Sequence, residues 1–416
     1  MLTLAWQSLR NRWGTVLLAT LAVAVSVSLI LTVEKIRHEA RNSFAQTVSG
    51  TDLIVGARSG SIQLLLYSVF RIGNATNNIS WETAKEIEQR DAVKWTIPIS
   101  LGDSHRGYRV VGTTQDIFTQ FRYGNDQALR IASGRAFDDV FDAVVGSEVA
   151  KALEYAIGQP IVIGHGTGSV SLVKHDERPF RISGILAPTG TPVDRSVHIS
   201  LAGIEAMHVD WQSGRQSSDE LSVDAIREMD LTPKAVTALM VGLNSRAAVF
   251  REQRSINTYR EEPLLAILPA VALQELWSLI GVAEKALFFI SMSVVVAGLV
   301  NLVSVLLASL GERRREMAIL RATGARPIHV FTLLGLESTG LTILGVASGL
   351  LLHYIILLSS GWWISENYGL VIPVGIPDAQ GLRILLGVLL AGILAGLIPA
   401  FAAYRTSLAD GMTQKL

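Results

Sequence analysis

The stretch GERRREMAILRATGAR, residues 311–326, places five arginines within sixteen residues, between two long apolar runs. Apolar side chains alternate with the charges, and Gly324 followed by Pro327 is a helix-stop signal. Retention of arginines on the cytoplasmic side of a membrane is one explanation. It does not require the compact apolar group or the sharp stop. We therefore predict a short amphipathic helix that lies on the cytoplasmic membrane surface and docks on a partner.

The apolar residues of the chain gather in four blocks. Of the 416 residues, 49% are hydrophobic and 17% are charged, whereas soluble proteins carry about a quarter charged residues. A bilayer crossing takes about 20 residues, and each block is long enough. The alternative for the first block is a cleavable signal peptide, but its apolar run exceeds the roughly 7–15 residues of such peptides. The predicted spans are Thr15–Val33, Ala286–Leu310, Phe331–Leu358 and Ile384–Tyr404.

The distribution of arginine predicts the orientation of these spans. Arg10 and Arg12 precede the first span, five arginines lie in 311–326, and Arg405 follows the last span. The loop 359–382 contains neither lysine nor arginine. Because short cytoplasmic loops are enriched in basic residues, both termini and the 311–329 loop are predicted to be cytoplasmic. The long segment between the first two spans then lies outside.

That long segment, roughly residues 50–270, has the pattern of a folded α/β domain. Short β-rich runs are separated by Gly, Pro and Asp turns. Helical spacing is found in four further stretches, the first of which begins at a Ser80 cap. The predicted strands are VKWTIPISL, RGYRVVGTT, QPIVIGH, GSVSLVKH, PFRISGIL and ELSVDAI, and the predicted helices are SWETAKEIEQRD, GSEVAKALEY, SLAGIEAMHVDWQ and SRAAVFREQRSINTY.

We accordingly predict an α-helical membrane protein with four transmembrane helices and a large mixed α/β periplasmic domain inserted between the first and second spans. Residues 34–47 and 264–284 are expected to continue the first two spans as helices that join the membrane to the outer domain. The predicted segments are 1–47 (N-terminal stub, first span and its extension), 48–270 (periplasmic domain), 271–310 (connecting stalk and second span), 311–329 (cytoplasmic helix), 330–358 (third span), 359–383 (periplasmic loop) and 384–416 (fourth span and cytoplasmic tail).

Small residues recur four positions apart within the spans, a spacing that lets helix backbones approach closely. Glu337 lies about two turns into the third span, where a carboxylate is costly. We expect it to face the cytoplasmic interface or a partner group, the alternative being a snorkelling side chain without function. The small residues are Gly345 and Gly349, Gly392 and Gly396, and Ser293, Ala297 and Asn301.

Catalytic and metal-binding motifs are not recognised in the sequence. No Gly-Lys pair exists for an ATP phosphate loop, and neither G-x-S-x-G nor H-E-x-x-H occurs. GHGTGS, residues 164–169, fits a hairpin loop better than a phosphate site. Basic and acidic residues balance, 36 against 36, so nucleic acid is not an expected partner. Five histidines of the outer segment lack metal-ligand spacing and are expected to be ordinary surface or core residues: His105, His165, His175, His198 and His208.

The stretch REMAILRATGARPIHV resembles the loop between the second and third spans of the FtsX/MacB-type permeases of ABC transporters, the type VII or mechanotransmission superfamily. That loop usually reads R-E-[IM]-[AG]-I-x-[RK]-A-x-G-A. LIPAFAAYRTS, which contains Pro399, resembles the family's closing segment, and GLESTGLTILGVASGLLLHY its third span. The opening span, DLIVGARSG and AVVGSEVAKALEYAIGQPIVI resemble its first span and its extracytoplasmic domain. The matching loop residues are Arg315, Glu316, Met317, Ile319, Arg321, Ala322, Gly324 and Ala325.

The resemblance implies a dimeric permease, most simply a homodimer, that works with a separate ABC ATPase. ATP and Mg²⁺ would bind to that ATPase and no cofactor to this chain, which is then not itself an enzyme. Some relatives carry the ATPase at the N-terminus, for which the first span, near residue 13, is expected to leave no room. The loop matched above, together with Leu320, would be the coupling helix against the ATPase. Glu337, the four glycines named above and Pro399 would take part in transmembrane packing.

The same resemblance implies that ATP-driven motion of the spans reaches the outer domain, in a bacterial inner membrane. Export or efflux of a periplasmic or membrane-associated substrate is the function we expect. Two alternatives remain: a mechanotransmitter that regulates a periplasmic partner without transport, and a lipoprotein-releasing permease. A periplasmic adaptor, a lipoprotein or another periplasmic protein, and membrane lipids, are the further partners expected.

Overall fold

The computed structural model describes residues 13–47, 49–124, 126–165, 179–209, 211–212, 215–216, 222–312, 319, 322–368 and 372–405. The described residues cluster into two units. The helical unit contains residues within 1–39, 281–363 and 372–416, and the α/β unit contains residues within 40–280 and 364–371.

Four long helices in the described part of the chain are long and apolar enough to cross a membrane. All four are longer than the apolar blocks from which they were predicted, since the flanking charged residues remain helical. The helix expected over residues 264–284 is wrong at its start, because Leu264–Ile267 form a strand and the second helix begins only at Pro269. Proline is favoured at the first position of a helix, since the N–H group that it lacks would have no partner within the helix there. The four helices are α1 (Trp13–Gln46), α9 (Pro269–Glu312), α10 (Pro327–Tyr368) and α11 (Ala379–Arg405).

The α/β unit is built on a mixed sheet of eleven strands among the described residues. The strand order is β17-β1-β16-β3-β4-β12-β8-β11-β7, with β10 paired to β3 and β9 to β11. The pairs β11–β8 and β12–β4 are parallel, and the others are antiparallel. The strands are β1 (Leu53–Ala57), β3 (Val93–His105), β4 (Tyr108–Thr113), β7 (Ile131–Gly134), β8 (Asp142–Val145), β9 (Pro160–Ile161), β10 (Gly164–His165), β11 (Phe180–Leu186), β12 (Ser196–Ser200), β16 (Ala238–Leu243) and β17 (Leu264–Ile267).

Short helices and two-stranded ladders complete this unit. The helices are α2 (Ser61–Ser68), α3 (Trp81–Glu88), α4 (Asp116–Gln120), α5 (Ser147–Ala152), α6 (Leu201–His208), α7 (Val223–Arg227) and α8 (Val249–Asn257). The two-stranded ladders are β2 (Ile79–Ser80) with β15 (Ala235–Val236), β5 (Arg122–Tyr123) with β6 (Gln127–Ala128), and β13 (Trp211–Gln212) with β14 (Arg215–Gln216). The predicted Ser80 cap is confirmed, since its hydroxyl accepts from Thr83 N at 3.2 Å.

The sheet is buried on both faces because its strands alternate apolar side chains to each side. On β1, Ile54 belongs to one core cluster while Leu53 and Val55 belong to another. On β12, Val197 and Ile199 pack into a third cluster. Because neither face of the sheet is open to solvent, its strands do not need a polar residue at every second position. This explains the near-continuous apolar runs of β1 and β16.

The edge strand β17 is closed by side-chain amides from α8. Asn257 Oδ1 accepts from Ala266 N at 2.6 Å, and Asn257 Nδ2 donates to Ala266 O at 3.4 Å. Gln253 Nε2 donates to the same carbonyl at 3.1 Å. These bonds satisfy backbone groups that face no neighbouring strand.

One predicted strand is wrong. The described part of ELSVDAI, residues 220–226, lies largely in helix α7. Ser222 caps this helix through a hydrogen bond from Ala225 N at 3.3 Å, and only Ile226 of the helix is buried. The local Ser cap and Asp224 in the first turn therefore outweigh the alternating pattern. The predicted strand GSVSLVKH, residues 168–175, lies outside the described residues.

Candidate functional site

The predicted coupling helix falls mostly outside the described residues, as do Arg315, Glu316, Met317, Leu320 and Arg321. What is described is its end. Ile319 is exposed, and its carbonyl accepts from Thr323 N at 2.9 Å.

The chain then turns at Gly324, whose φ is +101°, in the left-handed region that favours glycine. Ala322 is exposed and Ala325 is half-buried. Pro327 opens α10 directly afterwards. The turn separates the segment around Ile319 from α10, so the two can point in different directions.

In the helical unit, α1 packs closely on α10 through two glycines. A Cβ added at Gly349 would lie 2.8 Å from Ala24 O and 2.7 Å from Val27 Cβ, and one at Gly345 would lie 2.7 Å from Val23 Cβ. Such distances leave no room for a side chain. The two positions are one turn apart, so they form a continuous strip of close contact with α1.

The other glycine pair brings α11 onto α10. A Cβ at Gly392 would overlap the Thr342 side chain, and one at Gly396 would overlap Ser338. Both contact residues are buried on α10. Pro399 is also buried, next to Ala400, which packs with Val330 and Leu334 near the start of α10. Helix α10 therefore contacts α1 on one side and α11 on another.

A fifth close contact was not predicted from the sequence. A Cβ at Gly298 on α9 would lie 2.5 Å from Ser26 Oγ on α1. Ser26 Oγ itself donates to Ala22 O at 2.7 Å and is 3.0 Å from Val294 O. The small residues that the sequence singled out on this helix, Ser293, Ala297 and Asn301, are instead exposed. Gly298 has no small residue four positions away, so the four-residue spacing rule misses it.

Glu337 is buried within the helical unit, at 4% exposure. It lies on α10 next to Ser338, which contacts α11. A snorkelling side chain would be exposed, so burial favours a role in helix packing or in a polar contact.

Polar residues collect where α1 leaves its apolar stretch; we call Thr32, Glu34, Arg37, Glu284 and His353 the polar cluster. Thr32 Oγ1 lies 2.9 Å from His353 Nδ1 on α10. Arg37 Nη2 donates to Glu34 Oε1 at 2.6 Å, and Arg37 Nη1 lies 3.9 Å from Glu284 Oε2 on α9. The two carboxylates and the imidazole are each less than 10% exposed. Polar contacts thus join α1 to both α10 and α9, at positions close together along α1.

The polar cluster can hold α1 in a defined register against α9 and α10. One guanidinium lies close to two buried carboxylates, at 2.6 Å from Glu34 and 3.9 Å from Glu284. The sequence signal for this cluster was the run EKIRHE at 34–39, with opposite charges three and four residues apart. No comparable sequence pattern marks Glu284 on α9 or His353 on α10 as members of the cluster.

The structure describes the side chains of His105, His198 and His208 in the α/β unit. His105 is bound on both ring nitrogens, to Val162 O and to the Tyr155 hydroxyl, each at 2.6 Å, and burial lowers its pKa. His198 is fully buried on β12, and burial lowers its pKa to about 3, helped by the nearby charge of Arg71. His208 Nδ1 bonds Ile204 O at 2.6 Å. Among the residues described, no three His, Cys, Asp or Glu side chains form a group that could hold a metal ion. His175 and the side chain of His165 are not among the parts of the chain that the structure describes.

The described residues thus form four helices long and apolar enough to cross a membrane, with an α/β unit inserted in the sequence between the first and the second. Two family models match the chain, MacB-like periplasmic core domain over residues 14–256 and FtsX-like permease C-terminal over residues 288–408. The chain therefore belongs to the FtsX/MacB-like permeases of ABC transporters.

One similar curated protein is the macrolide export ATP-binding/permease protein MacB of Bdellovibrio bacteriovorus, 23% identical over 373 residues. The match takes in 85% of this chain but 54% of that protein, so the chain spans about half the length of this relative.

Two solved structures are similar to part of the chain. The periplasmic region of MacB from Actinobacillus actinomycetemcomitans has 11% identity and a TM-score of 0.34, covering 56% of this chain and 94% of that one. The extracellular domain of the noncanonic ABC-type transporter YknZ from Gram-positive bacteria has 12% identity and a TM-score of 0.30, covering 52% and 99%.

Proposed function

We propose that this chain is the membrane subunit of an ABC export system in a bacterial inner membrane. A separate ATPase subunit hydrolyses ATP, and the chain converts that cycle into movement of its periplasmic domain, which drives export of a periplasmic or membrane-associated substrate. Two copies of the chain form the permease. Both termini and residues 311–329 are cytoplasmic in this proposal.

The observation that carries the proposal is the family membership together with the packing around α1. Helix α1 is held to α9 at Gly298 and to α10 at Gly345 and Gly349, and the polar cluster joins the same three helices. A movement of α10 that begins at its cytoplasmic end is therefore passed to α1, because the two helices are in close contact. Close-packed helices shift as units, because their cores do not deform continuously.

Helix length supports transmission beyond the bilayer. With 34 residues in α1 and 44 in α9, and a rise of 1.5 Å per residue, the helices are about 50 and 65 Å long, whereas a hydrocarbon core is about 30 Å thick. Long continuous helices also suit the second candidate, a mechanotransmitter that acts on a periplasmic partner without moving a substrate. The release of lipoproteins is a narrower form of the export proposal.

The proposal is tested at the coupling segment, Arg315–Ala325. In the proposed coupling helix, Met317 and Leu320 would share a face because they are three residues apart, and Ile319 would be turned away. We expect Met317→Asp/Leu320→Asp to release the ATPase, since each fully buried apolar side chain contributes roughly 1.5–3 kcal/mol. Arg321→Glu is expected to weaken binding less, because a charge at the rim mainly changes the rate of encounter.

The measurements are co-purification of the ATPase and its hydrolysis rate in reconstituted membranes, with Ile319→Asp as the matched control. Unchanged association and hydrolysis in the double variant would overturn the coupling role. Transport of a labelled substrate into or out of vesicles then separates export from force transmission alone.

A further inference from the structure

Helix α8 has one face in the core of the α/β unit and an opposite face of unusual composition. Val249 and Ile256 are buried, and so is Glu252, which lies 3.6 Å from Arg90 and 3.3 Å from Arg251. The opposite side exposes Phe250 at 71%. Among the described residues 49–268, every other large apolar side chain is exposed by 53% or less.

Arginines surround this phenylalanine. Arg254 follows Phe250 by four residues, so the two lie on one side of α8. Arg246 precedes Phe250 by four residues, in the 3₁₀ turn that leads into the helix. Arg251 is adjacent and 75% exposed in its side chain. Arg246 and Arg254 are exposed, and neither has a carboxylate within 4 Å among the residues that the structure describes. We call Arg246, Phe250, Arg251 and Arg254 the α8 face.

Hydrogen bonds fix both ends of helix α8. A 3₁₀ turn over Arg246–Ala248, capped by Ser245, leads into the helix. At the other end, Gln253 and Asn257 bind the backbone of Ala266 on β17. A protruding side chain on a fixed helix loses little conformational freedom on binding, which favours association.

We propose that the α8 face docks an acidic segment of a periplasmic protein, with the Phe250 ring in an apolar pocket of that protein and the arginines paired with its carboxylates. Aromatic residues and arginine are the residue types enriched at binding hot spots, and a basic rim is complementary to acidic groups. The proposal rests on the proposed function only in placing this domain in the periplasm.

Charge on the neighbouring surface favours a protein over a lipid bilayer. Just beyond α8, the Tyr259 hydroxyl donates to Glu86 at 2.5 Å and lies 3.3 Å from Glu261. A flat anionic membrane that contacted the arginines would also lie close to these carboxylates and would be repelled by them. A protein surface can be shaped so that it contacts the arginines and avoids the carboxylates. A single protruding ring also suits a pocket better than a membrane surface.

The test uses photo-crosslinking in living cells with the full chain and its ATPase. A benzoylphenylalanine at Ala247, which is exposed on the same turn, leaves the α8 face intact. A benzoylphenylalanine at Met229, which is 43% exposed on the same unit, is the control position. The crosslinked peptide is then identified by mass spectrometry.

We expect a crosslinked protein adduct from position 247 and none from position 229. The crosslinked peptide of the partner protein should contain an acidic segment. Phe250→Ser, and separately Arg246→Glu/Arg254→Glu, should each reduce its yield by about tenfold or more, as loss of a hot spot does. Replacing the acidic residues of the identified segment by lysine should restore the adduct of the double-glutamate chain.

A phospholipid adduct, a second copy of this chain, an adduct without acidic residues, or no adduct at position 247 would each overturn the proposal. ATPase stimulation is measured in the same membranes. If hydrolysis is unaffected by this chain while the charge-dependent adduct forms, the proposed function fails and the docking surface stands; the converse result rejects the surface alone.

Discussion

Arg37 on α1 and Glu284 on α9 approach to 3.9 Å between Nη1 and Oε2, while the same guanidinium holds Glu34 at 2.6 Å. Both carboxylates are buried. A single cation close to two buried anions stabilises the arrangement of α1 against α9, and its removal leaves both anions without that partner.

The contact between Arg37 and Glu284 predicts an energetic coupling between two helices. In a double-mutant cycle of Arg37→Met and Glu284→Gln, we expect an interaction free energy of about 0.5–1 kcal/mol, because the Arg37 side chain is 28% exposed and the contact is long. Thermal unfolding of the chain in nanodiscs measures it. Lys285→Met, an exposed neighbour, serves as the control. Strictly additive effects of the two changes would show that the residues do not interact.

The same pair bears on transmission. If Arg37 passes movement between α1 and α9, Glu284→Gln should lower the ATP-dependent response of the periplasmic domain with little change in hydrolysis by the ATPase. Distance measurements between spin labels on the domain, with and without ATP, report that response. A full response in Glu284→Gln would confine this contact to a structural role.

Close packing at Gly349 predicts opposite outcomes for two glycine substitutions. Gly349→Ala pushes a methyl group against Val27 and Ala24 O, which should destabilise the helical unit by about 1–3 kcal/mol. Gly387→Ala on α11 has open space within 4 Å and should stabilise it by about 0.5–1 kcal/mol through helix propensity. Unfolding temperatures in nanodiscs compare the two. Equal stability of both variants would refute close contact at Gly349.

The buried His198 predicts a loss of stability in acid. Its pKa is about 3 in the folded chain and about 6.5 when unfolded. The unfolded state therefore binds more protons between these values, so stability is complete above about pH 6.5 and falls as the pH decreases, by at most about 1.4 kcal/mol per pH unit. Burial of His105 acts in the same direction.

We expect His198→Leu to flatten this dependence between about pH 6.5 and 5, relative to the wild-type slope. Hydrogen exchange of the strands β4, β8 and β12 in the full chain, measured as a function of pH, reports it. His38→Leu, an exposed histidine on α1, is the comparison. An unaltered slope in His198→Leu would assign the acid sensitivity to other groups.

Membrane orientation can be tested with single cysteines, because the chain contains none of its own. Asn77→Cys on the α/β unit should react with an impermeant maleimide in intact spheroplasts. Thr323→Cys, just before Gly324, should react only after the membrane is opened, because the arginines of 311–326 are expected to remain inside. Asn77 and Thr323 are both exposed. Labelling of Thr323→Cys in intact spheroplasts would reverse the proposed orientation.

Much of the architecture was predictable because hydropathy alone marks four membrane-length helices and because turn residues separate the strands. The ends of helices were less predictable. Charged residues such as Arg37 and Lys285 continue the helices past the apolar blocks, since helix formation does not require apolar side chains. At Ser222, a local cap turned an alternating pattern into a helix.

Contacts between helices were harder to predict than the helices themselves. The spacing of Gly345 and Gly349 indicates a close approach but does not name Val27 as its partner. Gly298 makes a close contact although no small residue lies four positions from it. Ser293, Ala297 and Asn301 have that spacing and are nevertheless exposed. Pairing of Arg37 with Glu284 joins positions far apart in the chain, which a pattern limited to neighbouring residues cannot detect.

The amide of Asn257 has a consequence for how copies of this protein behave beside one another. By donating to and accepting from Ala266, it occupies the hydrogen-bonding position that one residue of an added strand would take. An uncovered strand edge invites pairing with a foreign chain and leads to aggregation. A membrane concentrates its proteins in two dimensions, where such encounters are frequent. With β17 occupied by the chain's own side chains, neighbouring copies can crowd together without their sheets fusing at this edge.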